Sequence, residues 1–239
     1  MNEGHDTSSA DAGGSKTSPA GNKRERILEV LVREIEANRA SKITTRHLAA
    51  AVGVSESALY RHFPGKAAMF EALIESCERS VFSAINRICA DAGDDPERCC
   101  ERIVRSVLHF VEGSTGISRV LLGEVLHGED PRLSERVGNF FDRIETHLSR
   151  VIQQAPSAPL SMRSRARVSA NLIGAFLIGR IRQFNSGGAL PTETLDEQWE
   201  LLSRGIFADL ETGNRRGGPS GGAGTKPASS FPGSSKALR

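Results

Sequence analysis

The sequence predicts an all-α protein of about nine helices. Between residues 23 and 212, apolar side chains recur at intervals of three and four, which is the spacing of one helix face and not the alternation of strands. Two Asp-Pro pairs, Asp95-Pro96 and Asp130-Pro131, carry the N-cap and first-turn residues of a helix start. Glycines and prolines interrupt the apolar stripes, so the stripes are expected to form separate helices.

The helices follow from these stripes in chain order. The predicted spans are 23–38, 45–52, 55–63, 66–93, 96–112, 117–128, 131–155, 161–185 and 195–210. The seventh span has the strongest stripe, with heptad-like spacing from Leu133 to Ile152. The tails, residues 1–22 and 213–239, are polar and rich in glycine and serine, and we expect them to be disordered because they bury too little apolar surface.

Composition excludes several classes of protein. The chain has 31 Lys and Arg against 29 Asp and Glu, a net charge of +2, which indicates neither a strongly basic nucleic-acid coat nor an acidic protein. It contains no run of about 18 apolar residues, the length that a membrane helix needs. We therefore expect no membrane span, no secretory signal and a cytoplasmic location.

No residue pattern indicates catalysis or metal binding. The four cysteines form no Cys-x-x-Cys pair, and the six histidines lack metal-ligand spacing. Cys77 and Cys89 fall on apolar helix positions and are expected to be reduced and to pack as small hydrophobic residues, while a redox role for Cys99-Cys100 stays open. The sequence predicts a protein that is not an enzyme, with no catalytic residue, cofactor or metal.

Residues 44–63 contain two short helical patterns that are joined by a tight turn. Thr45 is expected to cap the first helix and Ser55 the second, and Gly53 supplies the left-handed residue that ends the first. Val54 is expected to pack into the turn. Two helices of this length joined by a glycine turn form a helix-turn-helix, whose second helix enters the major groove of DNA.

The outward side chains favour a DNA reader over a plain solvated hairpin. Residues 42–66 hold four Lys or Arg and one acid, so basic charge is concentrated here. Hydroxyls at helix N-termini suit phosphate, and Arg61 can reach either a guanine or a phosphate. His62 either projects outward or packs beside Phe63. The candidate DNA-binding residues are Thr44, Thr45, Arg46, Ser55, Ser57, Tyr60, Arg61 and His62.

A longer motif continues past the second helix. It reads Thr44-Thr45, then Val52-Gly53-Val54-Ser55, then Leu59-Tyr60-Arg61-His62-Phe63-Pro64 followed by Lys66. This motif resembles the DNA-binding domain of TetR-type regulators. In that family the lysine after the motif contacts phosphate, which implies the same role for Lys66.

Three segments further along resemble a subfamily, the TetR-type nucleoid occlusion factors of SlmA type. They are Gly116-Ile117-Ser118-Arg119-Val120-Leu121-Leu122-Gly123, Phe141-Asp142-Arg143-Ile144-Glu145, and Pro191-Thr192 ahead of Trp199. The resemblance implies a TetR-like fold with a three-helix DNA-binding domain at 23–66 and a helical dimerisation and partner-binding domain at 67–212.

The same resemblance implies a function. Proteins of this type are nucleoid-associated homodimers that bind palindromic double-stranded DNA sites and, when bound, inhibit FtsZ-dependent septum assembly over the nucleoid. Two departures concern the FtsZ side. Ala84 stands where the pattern has a basic residue, and residues 109–114 replace a Gly-rich basic segment.

The partner surface is expected in the groove between the helix of residues 66–91 and the helix of residues 96–112. The acidic, partly apolar C-terminal tail of FtsZ would need cations beside an apolar floor. The candidate residues are Arg79, Phe82, Arg87, Arg102, Arg105 and Phe110.

The homodimer is expected to form on the last two helices. One helix-turn-helix buries too little surface for tight specific binding, and two-fold symmetry matches a palindrome. Small and apolar residues would permit close contact across the dimer, together with the 195–210 helix; they are Leu172, Gly174, Ala175, Phe176 and Gly179.

The alternative function is a ligand-responsive TetR-type transcriptional repressor. Such a protein needs an apolar pocket with a few polar groups. The side chains that could line it, or else form plain core, are Phe82, Phe110, Phe140, Phe141 and Met162.

Overall fold

The computed structural model describes residues 19–38, 43–91 and 93–215, and within these ranges it describes side chains from 23 to 208. This part of the chain forms nine α-helices and no strand, which confirms the predicted fold class. The helices are α1 (Pro19–Ala37), α2 (Thr45–Val52), α3 (Glu56–His62), α4 (Lys66–Asp91), α5 (Pro96–Glu112), α6 (Thr115–Leu121), α7 (Pro131–Gln154), α8 (Leu160–Asn185) and α9 (Leu195–Arg215).

Three helix ends differ from the prediction by four residues or more. Helix α1 begins at Pro19 and α9 extends to Arg215, so both overlap the predicted tails, whose remaining residues lie outside the described ranges. Helix α6 ends at Leu121 and not near residue 128. It ends early because Gly123 and Gly128 adopt φ of 73° and 78°, left-handed values that break a right-handed helix.

One continuous core runs through all the helices. It includes Ile27 and Leu31 of α1, Phe63 after α3, Phe140 of α7 and Phe207 of α9. Helices α7 and α8 form the most extensive helix pair, and α4 and α5 pack beside them. The helix-turn-helix therefore shares its core with the helices that follow, and its orientation depends on them.

Polar contacts fasten α1 to α6. The carboxylate of Glu36 accepts hydrogen bonds from Ser114 Oγ at 2.5 Å and from the Gly116 backbone N–H at 3.2 Å. The buried Arg119 side chain donates to the carbonyl of Ile35. We call these contacts the α1–α6 junction. The carboxylate stabilises the start of α6, where unpaired N–H groups favour an anion.

Candidate nucleic-acid interface

Local caps build the helix-turn-helix. Thr44 Oγ1 accepts from the His47 N–H at 3.2 Å, so Thr44 caps α2 and the prediction that Thr45 caps it was wrong. Ser55 caps α3 as predicted, because its Oγ accepts from the Ala58 N–H at 3.2 Å. Gly53 has φ of 79° and ends α2 in the left-handed conformation.

The inward side chains attach the two helices to α1. Leu48, Val52, Leu59 and Phe63 are buried, as their spacing predicted. Val54 was expected to fill the turn, but 39% of it is exposed. The turn instead relies on backbone hydrogen bonds, so no apolar plug is needed there.

The outward residues of α3 lie on one accessible face. Ser57, Tyr60 and Arg61 are exposed, and so is Arg46 of α2. Within the described residues, neither Arg46 nor Arg61 forms an ion pair. We call these four residues the DNA-reading face, after the role that the sequence predicts for them. Their side chains are accessible to base edges or phosphates, as an α3 placed in a major groove requires.

Hydroxyl groups join α2 to α3 at this face. Thr45 Oγ1 donates to Glu56 Oε1 at 2.7 Å and lies 3.3 Å from Tyr60 Oη. Ser55 Oγ lies 3.1 Å from Ser57 Oγ. Thr44 and Ser55 are exposed, while Thr45 is half-buried. The structure thus brings the predicted hydroxyl residues together, and it assigns Thr45 a second role in holding Tyr60.

The backbone of His62 contacts α1. Its side chain is half-buried, and its carbonyl accepts from Arg24 Nη1 at 2.6 Å. The Arg24 guanidinium also lies 4.2 Å from the centroid of the Phe63 ring. Sequence reasoning missed Arg24 because 38 residues separate it from His62, and no local pattern signals such a contact.

A second contact that sequence reasoning missed joins α1 to α2. His47 Nε2 lies 2.5 Å from Glu34 Oε2. His47 follows Arg46 in the sequence, so this contact fixes the start of α2 against α1. Glu34 and His47 lie on different helices, so no local sequence pattern predicts their contact.

Lys66 is less accessible than a phosphate contact would suggest. Its Nζ donates to the carbonyl of Ile43 at 3.1 Å and forms an ion pair with Glu129, which precedes α7. Only 19% of the lysine side chain and 13% of the glutamate side chain are exposed. Lys66 therefore links the DNA-binding helices to the loop between α6 and α7.

The six predicted partner residues separate into two groups. Arg79, Phe82 and Arg87 line one shallow surface of α4. The Phe82 ring there contacts α7, with the Arg143 guanidinium 3.8 Å from its centroid. We call Arg79, Phe82 and Arg87, together with Arg143 of α7, the basic surface of α4.

The second group lies on α5. Arg105 pairs with Glu101 at 2.9 Å and with Asp196 of α9. Arg102 and Phe110 are half-buried on the same helix. The six residues therefore do not line one groove between α4 and α5.

The aromatic residues considered for a ligand pocket pack against one another. Phe82 meets Phe140 edge-on at 5.6 Å, and Phe140 meets Phe141 edge-on at 5.2 Å. Met162 is buried in the same core, and Phe110 is partly buried against it. These contacts favour the interpretation of the aromatic residues as core.

The described ranges contain no group of three His, Cys, Asp or Glu side chains placed to hold a metal ion. None of their helices has the length and apolar character needed to cross a membrane.

Comparisons with known proteins agree with this geometry. Residues 27–73 match the family described as bacterial regulatory proteins, tetR family, and residues 98–206 match an SlmA-like family described as a tetracyclin repressor-like C-terminal domain. The nucleoid occlusion factor SlmA of Shewanella baltica is 44% identical over 193 residues, which cover 80% of this chain and 98% of that protein. The chain belongs to the TetR family, in its SlmA group. This family consists of regulators and not of enzymes.

Further similar proteins and structures agree with this family assignment. SlmA of Shewanella oneidensis is 43% identical over 193 residues, with 80% of this chain and 98% of that protein covered. A TetR-like transcriptional regulator from a Rhodococcus species has a TM-score of 0.64 at 16% identity, over 80% of this chain and 99% of the other. FadR from Bacillus subtilis in complex with stearoyl-CoA has a TM-score of 0.59 at 15% identity, over 76% and 98%. At these identities the structural matches establish the fold alone.

Proposed function

We propose that this chain is a nucleoid occlusion factor. In this proposal a homodimer binds palindromic chromosomal DNA and, when bound, inhibits FtsZ-dependent septum assembly over the nucleoid. The observation that carries the proposal is the 44% identity to curated SlmA over 98% of that protein's length. The match includes the helices after α3, and a shared helix-turn-helix alone would not distinguish this function from transcriptional repression.

The exposed face of α3 supports the DNA-binding step. Arg61 and Ser57 lie where base edges would be contacted, and Tyr60 is held by Thr45 so that its hydroxyl can contact a phosphate. The exposed Arg46 adds positive charge beside the groove. In this arrangement base discrimination belongs to Arg61 or Ser57, and affinity depends on salt because phosphate contacts release counterions.

An exposed apolar stripe on α8 and an exposed leucine on α9 support the homodimer. On α8, Val168 is 72% exposed and Leu172 is 51% exposed, and Ala175 and Gly179 continue the stripe at helical spacing. On α9, Leu201 is 72% exposed. Large apolar side chains in such a stripe mark a protein interface, and a second copy of the chain is the occupant that a palindromic site requires.

Gly174 has a different role from the one the sequence predicted. It is buried, and a Cβ atom at this position would lie 2.5 Å from the carboxylate oxygen of Glu145 on α7. Gly174 therefore permits close packing within one subunit. Ala175 and Gly179 remain candidates for the contact across the dimer, since both are exposed.

The basic surface of α4 supports an acidic partner such as the FtsZ tail. Arg79 and Arg87 line the same surface as Phe82, and the Arg143 guanidinium lies over the Phe82 ring, which gives cations beside an apolar side chain. Arg79 is held by Glu75 at 2.8 Å, but both side chains are largely exposed and this pair is exchangeable with another carboxylate. The contact is therefore expected to weaken as salt rises.

The test is titration of an FtsZ C-terminal tail peptide onto the purified protein, with and without operator DNA. We expect binding that strengthens when DNA is present and is lost when Arg79 and Arg87 are both changed to Glu. Arg105→Ala is the matched control, because Arg105 points to α9 and its loss should leave peptide binding unchanged. Absence of peptide binding at low salt in both states would remove FtsZ from the proposal and leave a DNA-binding dimer.

A further inference from the structure

Two cysteines from different helices meet at a small cavity. Cys89 is on the last turns of α4 and Cys99 is on the first turn of α5. Both line a cavity of about 360 Å³ that is also lined by His147 and Arg150 of α7. Cys89 was expected to pack as a hydrophobic residue, but it is exposed, whereas Cys99 is 3% exposed. The pair therefore consists of one accessible and one buried thiol.

The two thiols line the same cavity, and Cys89 is close enough to affect the pKa of Cys99. Burial is the main cause that raises the pKa of the Cys99 thiol to about 12, and the neighbouring Cys89 adds to the rise through its charge and a hydrogen bond. Cys100 is fully buried, and burial raises the pKa of its thiol well above the usual value. Both α5 thiols are thus protonated at neutral pH, and neither is the first site of attack on an oxidant.

We propose that Cys89 and Cys99 form a reversible disulfide when the protein meets a hydroperoxide. The accessible Cys89 sulfur attacks the peroxide oxygen, which breaks the O–O bond and yields a sulfenic acid and an alcohol or water. The Cys99 sulfur then displaces the hydroxyl group as water, with its thiol proton, and the S–S bond forms. Two thiols lose two electrons, and one peroxide is reduced.

The disulfide would join the end of α4 to the start of α5. Only residues 90–98 separate the two cysteines, so the bond closes a short loop and leaves the rest of the fold unconstrained. The cavity beside the pair has room for a small hydroperoxide. Cys77, which is buried in the middle of α4, has no part in this chemistry.

Peptide mapping of the full chain tests the proposal. The protein is treated with hydrogen peroxide, blocked with an alkylating agent and digested with trypsin without reduction. Arg98 lies between the two cysteines, so they fall in separate peptides, 88–98 and 99–102. We expect these two peptides to appear linked, two hydrogen masses below their sum, and to separate after treatment with dithiothreitol.

Variants distinguish the cysteine partners. Cys89→Ser, at an exposed position, and Cys99→Ala should abolish the linked species, while Cys100→Ala and Cys77→Ala should retain it. Three results would overturn the proposal: a crosslink that survives in Cys99→Ala, two 88–98 peptides joined to each other, or an oxidised 99–102 peptide that is not linked to another. Irreversible sulfinic or sulfonic acid at Cys89 without a crosslink would also overturn it.

Discussion

The DNA-reading face and the α1–α6 junction are both made of polar residues, but they are built in opposite ways. The face depends on local caps at Thr44, Gly53 and Ser55 and leaves its long side chains accessible. The junction depends on contacts such as Glu36 with Ser114, between residues 78 positions apart, and Arg119 is buried within it. We therefore expect the first region to supply base contacts and the second to fix the orientation of those contacts.

The largest expected loss of stability follows from a substitution at the α1–α6 junction. A Cβ atom on Gly116 would be 2.6 Å from the backbone oxygen of Val32, so Gly116→Ala forces α1 and α6 apart. We expect it to lower the free energy of unfolding by about 2 to 3 kcal/mol and to weaken operator binding, measured by urea titration and by DNA binding. Gly138→Ala is the matched control, because nothing lies within 4 Å of a Cβ there. Equal stability of the two variants would contradict the described packing of α1 on α6.

The next largest effect is a loss of specific DNA binding from a substitution at the DNA-reading face. If Arg61 reads a guanine, Arg61→Ala should reduce binding to the specific site by about 1 to 3 kcal/mol and leave binding to random DNA nearly unchanged. Unfolding should be unaffected because the side chain is exposed. Equal losses on specific and random DNA would show that Arg61 is a phosphate contact, and base discrimination would then rest with Ser57.

Lys66 links the start of α4 to the loop before α7, and its role in DNA binding is testable. If its amine leaves Glu129 to contact phosphate, Lys66→Ala should weaken binding to all sequences and reduce the slope of log affinity against log salt by about one. Glu129→Gln should then strengthen binding to both specific and random DNA, because it releases Lys66 from its ion pair. If Lys66→Ala changes neither affinity nor slope, the only role of Lys66 is its structural link to Glu129.

The smallest effect concerns pH and lies away from both regions. Burial, then Arg150 and Arg143, lowers the pKa of His147, which stacks on Phe82. The unfolded chain therefore binds this proton more readily, so the free energy of unfolding should fall as pH drops below about 6.5. His147→Gln should reduce that dependence in urea titrations between pH 5 and pH 7. An unchanged dependence would assign the effect to other groups.

The sequence predicts the helix-turn-helix around the DNA-reading face well, because the residues that form it are close together in the chain. Caps, the glycine turn and apolar spacing lie within 20 residues, so Ser55, Gly53 and Leu59 were placed correctly. The neighbouring Thr44 and Thr45 carry the same hydroxyl, and only the backbone geometry decides which one caps. Local pattern therefore defines the element, while one-residue detail depends on three-dimensional structure.

The sequence does not predict contacts between residues that are distant along the chain. The pairing of Lys66 with Glu129 and of Arg24 with the His62 carbonyl left no periodic signal. The six partner residues were expected in one groove because α4 and α5 are consecutive, but helical rotation turns Phe82 towards α7 and leaves Arg105 beside α9. Helix spans alone do not define which face meets which neighbour.

The most direct test of the proposed function is genome-wide mapping of sites bound by the protein in growing cells, with Arg61→Ala as the control for specific binding. A nucleoid occlusion factor should occupy tens of palindromic sites scattered over the chromosome and depleted around the replication terminus, and the variant should lose them. Occupancy confined to one or two promoters would contradict the account and assign the protein to transcriptional repression.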